Sequence, residues 1–350
     1  MAIIDKPSDY FNTVLYTGNG GTQSITGLDF QPDWVWLKCR NRVEEHVVFD
    51  VIRGATKKLL PNSSNAESTE ANTLTSFNSD GFSLGSAGLS NSSGDTFASW
   101  NWKAGTSFTN DASATGIGTI DSTGSASDTA GFSIVSYTGT GSAGTIKHGL
   151  STAPSMIIIK DRSANDNWNV YNSSSGNNSH MHLNLTNAAT GSSSYWNTTT
   201  PTSSVFSLGS SNSVNANGNN FIAYCFADTS MSKMGSYTGN GSSSSGPFIF
   251  TGFKPAFLMI KATNAAKSWM LLDNKRNPSG LSGANTVDYR LRADTDEATS
   301  DNAGGMDFLS NGFKPLNTDT STNQSGTNYI YQAFAENPFT TSTGVPATAR

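Results

Sequence analysis

Charge is what this sequence has least of. Asp, Glu, Lys and Arg make up 13% of the 350 residues, about half of ordinary usage. With 21 basic residues against 26 acidic ones the net charge is −5, so no basic face exists to neutralise phosphates or to hold the chain on an anionic bilayer. Nucleic acid and membrane surfaces are therefore poor partners. Cysteine is scarcer still: Cys39 and Cys225 cannot build a disulfide framework, their spacing is no metal motif, and both read as small buried hydrophobes. No apolar run is long enough to span a bilayer, and the opening residues Met1 to Tyr10 lack the basic and apolar regions of a secretory signal. Export by that route is not expected. Also absent is any helical apolar period sustained over three turns.

What is present is small and polar. Ser, Thr, Asn and Gly fill about 46% of the chain, yet 7 Trp, 10 Tyr and 19 Phe stand among them. A chain unable to bury apolar area would not carry so many large rings, so disorder is excluded. Aromatic and β-branched runs separated by Gly, Ser, Asn and Asp turns read as strands, and the fold is expected to be all-β with less than about a tenth helix.

Three segments open alike, with Tyr16-Thr17-Gly18-Asn19-Gly20, Tyr137-Thr138-Gly139-Thr140-Gly141 and Tyr237-Thr238-Gly239-Asn240-Gly241. Each then reaches a turn, a proline (Pro32, Pro154, Pro255) and an apolar run ending in lysine (Lys38, Lys160, Lys261), with Tyr-to-Lys distances of 22, 23 and 24 residues. The register continues beyond the lysine. Eight residues on stand His46, Trp168 and Trp269; twelve on, Asp50, Asn172 and Asp273; fifteen on, Arg53, Ser175 and Arg276. Gly81-Phe82, Val205-Phe206 and Gly312-Phe313 follow, and closing strands begin at Phe97, Phe221 and Tyr329.

The pattern predicts three repeats of one module, at 15–103, 131–229 and 230–336, each a lectin-like, jelly-roll β-sandwich of antiparallel strands. The run after each proline has no polar alternation, as expected of a strand covered on both faces, and its proline sits where a missing N–H breaks no ladder. Residues 104–130, rich in Gly, Ser and Thr, read as a linker or exposed hairpin, 1–14 as an apolar docking arm, and 337–350 as a polar tail.

Few residues suggest chemistry. The glycines of Tyr-Thr-Gly-x-Gly lack the helix and lysine of a phosphate loop and read as a tight turn needing positive φ. Asp50/Arg53 and Asp273/Arg276 are the charged pair that recurs; they brace a turn at the sandwich edge or meet a sugar or peptide at a module rim. A glycosidase needs two carboxylates, and no second recurring carboxylate accompanies Asp50 or Asp273. His180 and His182 stand at alternate positions of a strand, so both imidazoles point one way, as weak metal candidates. Asp294, Asp296 and Glu297 form a solvated loop with a remote claim on calcium. Trp168, Trp196, Trp269 and Tyr195 lie among Asn and Ser, the setting in which aromatic faces hold sugars. Trp168 and Trp269, being module equivalents, also suit the core, which leaves Trp196 as the better surface candidate. No cofactor is expected.

At Tyr-Thr-Gly-Asn-Gly, the proline-led apolar run ending in lysine, and Asp50-x-x-Arg53-Gly54, the sequence resembles repeat modules in virion and tail-fibre-like proteins of tailed bacteriophages, many of them marine or cyanobacterial. The resemblance runs from Phe11 to Pro338 and departs in module two, where Asn172 and Ser175 replace the charged pair. It implies a non-enzymatic structural protein of the virion, a tail fibre, appendage or surface decoration assembled in the host cytoplasm. Partners implied are further copies of itself, as a homotrimer covering exposed sheet edges, other virion proteins through residues 1–14, and host-surface glycans. The alternatives are a polysaccharide-cleaving tailspike and a bacterial surface adhesin.

Overall fold

The computed structural model describes residues 3–277 and 286–346 and is built almost wholly of antiparallel strands, with four α-helices of four residues each among the described residues. The fold is the all-β, sandwich-type architecture expected. Its organising feature is a four-strand pairing found in each of the three segments, which we call lobes one, two and three.

In lobe one Phe11–Thr17 pairs with Thr96–Trp102, which pairs with Trp34–Cys39, which pairs with Val47–Asp50. Lobe two has the same order through Phe132–Thr138, Asn220–Phe226, Met156–Asp161 and Asn169–Asn172. Lobe three repeats it through Ser232–Thr238, Asn328–Pro338, Phe253–Ala262 and Met270–Asp273. Registers agree as well: Tyr16 faces Phe97, Tyr137 faces Phe221 and Tyr237 faces Tyr329, while Lys38, Lys160 and Lys261 face Ala98, Ile222 and Ile330.

The unbroken apolar runs have a direct explanation. Alternate side chains of each central strand enter two different cores, so neither face can be polar. Val35 and Leu37 point into the sandwich core of lobe one, against Ile25, Phe82 and Leu84 on the covering sheet, and Ile157 and Ile159 do the same in lobe two. Trp34, Trp36, Met156 and Ile158 point the other way, into a large cluster shared by all three lobes. There Trp34 stacks on Tyr224 of lobe two with centroids 4.4 Å apart, Phe11 stacks on Phe334 of lobe three at 4.9 Å, and Phe226 meets Phe334 at 6.0 Å. The modules are thus not separate beads. They close into a ring around one aromatic core, and that burial, not a tandem linker, sets their arrangement.

Three boundaries move as a result. Residues 104–130 are not a free linker: Thr106–Asn110 and Ser122–Ser127 form a hairpin that extends the sheet of lobe two beyond Phe132–Thr138, with Ala104 and Ala130 buried. The supposed arm is mostly part of the body. Phe11 opens the first strand and is 2% exposed, Ile4 is buried, and the Ile4 amide donates to Ser230 Oγ at 3.1 Å. Ile4 and Phe11 of the apolar lead are covered by the chain itself, in part by its third lobe, while Ile3 stays 40% exposed. Asn337 and Pro338 of the expected tail finish the closing strand, opposite Lys254 and Phe253. Residues 1, 2 and 347–350, at the outer ends of arm and tail, lie outside the described residues.

Candidate functional site

The opening motif is structural, and its two glycines act differently. Gly20, Gly141 and Gly241 have φ of +71°, +71° and +70°, the left-handed conformation a side chain disfavours. Gly18, Gly139 and Gly239 do not need positive φ. A Cβ there would lie 2.2, 2.2 and 2.4 Å from the carbonyl oxygens of Ser92, Ala216 and Gln324, so close approach of backbone to backbone demands glycine. The tyrosine hydroxyl of each motif is buried and donates to a carbonyl: Tyr16 to Ser90 at 2.7 Å, Tyr137 to Val214 and Tyr237 to Thr322 at 2.6 Å. Sequence reading missed the buried partner of this turn. Asn91, Asn215 and Asn323, each five residues before a closing strand, accept through Oδ1 from the amides of Asn19, Thr140 and Asn240 at 2.8 to 3.0 Å. That constant spacing was the available signal.

The recurring charged pair and the tryptophans are buried, contrary to their use as a ligand surface. Arg53 Nε donates to Asp50 Oδ2 and Arg276 Nε to Asp273 Oδ2, both at 2.5 Å with all four side chains fully covered. Asp50 also accepts from the hydroxyl of Tyr224 in lobe two at 2.7 Å, and Asp273 from Trp100 Nε1 of lobe one at 3.0 Å. The pair braces a turn, one of the two roles its spacing suggests, but in the ring's interior instead of at a sandwich edge. Burial holds Tyr224 well above the ordinary phenol range, so its hydroxyl stays a donor.

His46, Trp168 and Trp269 occupy equivalent places, and each reaches a carbonyl in the neighbouring lobe: Arg292 at 3.0 Å, Leu60 at 2.9 Å and His182 at 2.8 Å. His46 accepts from Trp36 Nε1 through Nδ1 at 2.9 Å, which fixes its proton on Nε2, and burial holds it neutral well below the usual imidazole range. Lys38, Lys160 and Lys261 are fully buried and spend their ammonium hydrogens on carbonyls, two of them across a lobe boundary (Lys38 to Asp296, Lys261 to Thr186). Burial lowers each to about 8.

The remaining candidates are internal too. Trp196 is 1% exposed and donates through Nε1 to the Ser179 carbonyl, while half-buried Tyr195 stacks on His180 at 3.7 Å. His180 and His182 do lie side by side, centroids 5.2 Å apart, and burial depresses both, His180 to about 4. Among the described residues no group of three His, Cys, Asp or Glu side chains converges, and Asp294 accepts from the Trp269 amide at 2.7 Å. Nor is any helix among the described residues long and apolar enough to cross a membrane.

The lobes meet at three boundaries, and these differ. All are stitched alike: the Glu67 amide donates to the Arg162 carbonyl, Ala189 to Thr263 and Thr299 to Arg40, at 3.0, 2.8 and 2.8 Å. Between lobes one and two the space beside this stitch is filled by charge. Glu67 Oε2 accepts from Arg53 Nη1 at 3.3 Å and from Arg162 Nε at 2.9 Å, and Arg162 reaches Ser136 Oγ at 3.4 Å. Between lobes two and three the corresponding positions are Ser175, Ala189, Thr263 and Ser236, all short. They line an open cleft of about 480 Å³ whose other walls include Ser179, Asn328 and Tyr237. The cleft is neutral, rich in hydroxyl and amide groups, and framed by apolar ring and aliphatic surface. The module-two departure from Asp-x-x-Arg, with Ala189 and Thr263 in place of Glu67 and Arg162, leaves this space open.

No curated protein and no solved structure matches the chain. A family match covers nearly all of it, residues 6–338, and spans the three lobes as one unit: the chain belongs to the family described as Domain of unknown function (DUF7483).

Proposed function

We propose that the chain is a non-enzymatic structural protein of a tailed-phage virion, a fibre, appendage or surface decoration, whose lobe-two/lobe-three cleft holds a neutral host-surface glycan. The cleft carries the reading: arginine, glutamate and arginine at one boundary become serine, alanine and threonine at the next, leaving hydroxyl and amide groups beside ring surface. Neutral sugars are held by that combination, C–H faces on rings and hydroxyls on polar side chains. Low charge and a closed ring of lobes suit a particle component assembled in a cytoplasm, and a second and third copy would cover the remaining sheet edges as a homotrimer.

Saturation-transfer NMR with neutral host-surface oligosaccharides tests the cleft. Contacts should be seen with the native chain and be lost in Ser175→Trp, which fills the space. Binding that survives Ser175→Trp moves the site elsewhere. Mass spectrometry of purified particles tests the virion role, and absence of the chain from them overturns it. Release of reducing ends from polysaccharide by the purified chain would overturn the non-enzymatic assignment, and light scattering that finds a monomer at micromolar concentration would remove the trimer.

A further inference from the structure

The third boundary, between lobes three and one, is neither filled nor open in the manner of the other two. Its positions are Arg276 where lobe one has Arg53, Arg40 where lobe two has Arg162, and Thr299 where lobe one has Glu67. Both arginines are kept, and the carboxylate that joins them at the first boundary is missing.

The unpartnered atoms record the loss. At the first boundary the Glu67 carboxylate accepts from Nη1 of Arg53 and Nε of Arg162. At the third, Arg276 Nη1, Arg40 Nε and Thr299 Oγ1 are buried with no hydrogen-bond partner among the described residues. These are the two nitrogens that Glu67 joins at the first boundary, plus the hydroxyl standing in its place. Arg276 is otherwise fixed: Nε donates to Asp273, Nη2 to the Leu271 carbonyl at 2.8 Å, and its guanidinium lies 5.4 Å over the Trp100 ring. Arg276 is 1% exposed and Arg40 is half-buried, so a ligand would arrive past Arg40. Burial first, and then the charge of Arg276, hold Arg40 below its ordinary range, against the opposing pull of the Asp273 carboxylate that already pairs with Arg276. A buried donor left unmade is costly.

We propose that the boundary between lobes three and one is a binding site for a carboxylate supplied from outside the chain, held by Arg276 Nη1, Arg40 Nε and Thr299 Oγ1 in the manner in which Glu67 is held one boundary away. The site is independent of the neutral cleft between lobes two and three. Its ligand is a carboxyl-bearing small molecule or the acidic group of a sugar.

Thermal unfolding of the full chain in sodium acetate, against sodium chloride at equal ionic strength, tests this, with calorimetric titration to count sites. Acetate should raise the midpoint by about 2 °C or more at concentrations well above Kd, and one acetate should bind per chain. Thr299→Glu should unfold at a higher temperature without acetate and lose the response. Arg40→Gln, altered at the half-buried position, should stay folded and lose the response as well. Glu67→Thr, which recreates the arrangement at the first boundary, should bind a second acetate. Sodium glucuronate in a parallel titration separates the sources: tighter binding than acetate points to an acidic sugar, equal binding to a simple carboxylate. Equal effects of acetate and chloride on the native chain, or an acetate response that persists in both Thr299→Glu and Arg40→Gln, would overturn the proposal.

Discussion

Replacing Tyr224 by Phe removes one hydroxyl from the ring's interior and leaves the packing intact, which makes it the sharpest probe of how the lobes are joined. The hydroxyl donates at 2.7 Å to Asp50 Oδ2 across the boundary between lobes two and one, and both residues are 0% exposed. A hydrogen bond to a charged acceptor contributes about 1.5 to 3 kcal/mol. Asp50 keeps Arg53 Nε at 2.5 Å and the amides of Ile52 and Arg53 at 3.1 and 2.8 Å, so the carboxylate is not left bare. The ring keeps its stacking on Trp34 at 4.4 Å. The loss should therefore fall near the lower end, about 2 kcal/mol. In guanidinium denaturation the midpoint should drop with an unchanged slope and a single transition, because the shared aromatic core makes the lobes one cooperative unit. Tyr137→Phe, whose hydroxyl donates to the neutral Val214 carbonyl within one lobe, should lose about 1 kcal/mol. A change under about 0.5 kcal/mol for Tyr224→Phe, or two transitions of which only one shifts, would refute the reasoning.

Stability should vary with pH in three windows, each readable by denaturation at fixed ionic strength. His46, His148, His180 and His182 are all depressed by burial, His148 and His180 to about 4, so the unfolded chain binds the extra protons and stability falls as pH drops from about 6.5 toward 4, by up to about 1.4 kcal/mol per pH unit per histidine. Lys38, Lys160 and Lys261 fall to about 8 in the fold; the unfolded chain holds those protons longer, so stability rises between about pH 8 and 10. Above about pH 10 the sign reverses, because Tyr16, Tyr137, Tyr224 and Tyr237 are raised by burial and keep protons that unfolded tyrosines release. A flat profile from pH 8 to 10 would mean the lysines are not buried. Gly139→Ala should destabilise by about 2 kcal/mol or more, since its Cβ meets the Ala216 oxygen at 2.2 Å, whereas Gly21→Ala, with nothing nearer than 3.8 Å, should stay within about 0.5 kcal/mol; equal midpoints for the two would show that the close approach does not set the motif. Glu67→Gln should cost about 2 kcal/mol by leaving Arg53 and Arg162 without their shared carboxylate, and a neutral result in urea denaturation would show that the bridge is spanned by solvent.

The sequence by itself determined the strands and their equivalences. Period, turn residues and constant spacing are local properties, so the apolar runs before Lys38, Lys160 and Lys261, the Tyr-Thr-Gly-x-Gly turns and the closing strands could all be placed before any packing was known. It also marked Asp50/Arg53 and Asp273/Arg276 as a pair, because two charges three residues apart on one turn can meet without help from the rest of the chain. What no local rule contains is which side of a strand faces a second module. Trp34 and Val35 look alike in sequence; only the closure of three lobes sends one to the common core and the other to its own sandwich. The same closure hid Trp168 and Trp269, while Trp196 went into lobe two's own sandwich; closure also tied down the arm and linker, and set Glu67 between two arginines from different lobes while leaving Arg276 and Arg40 without one. Sites built between distant segments depend on the absence of a side chain as much as on its presence, and an absence acquires meaning only when the neighbours that surround it are known.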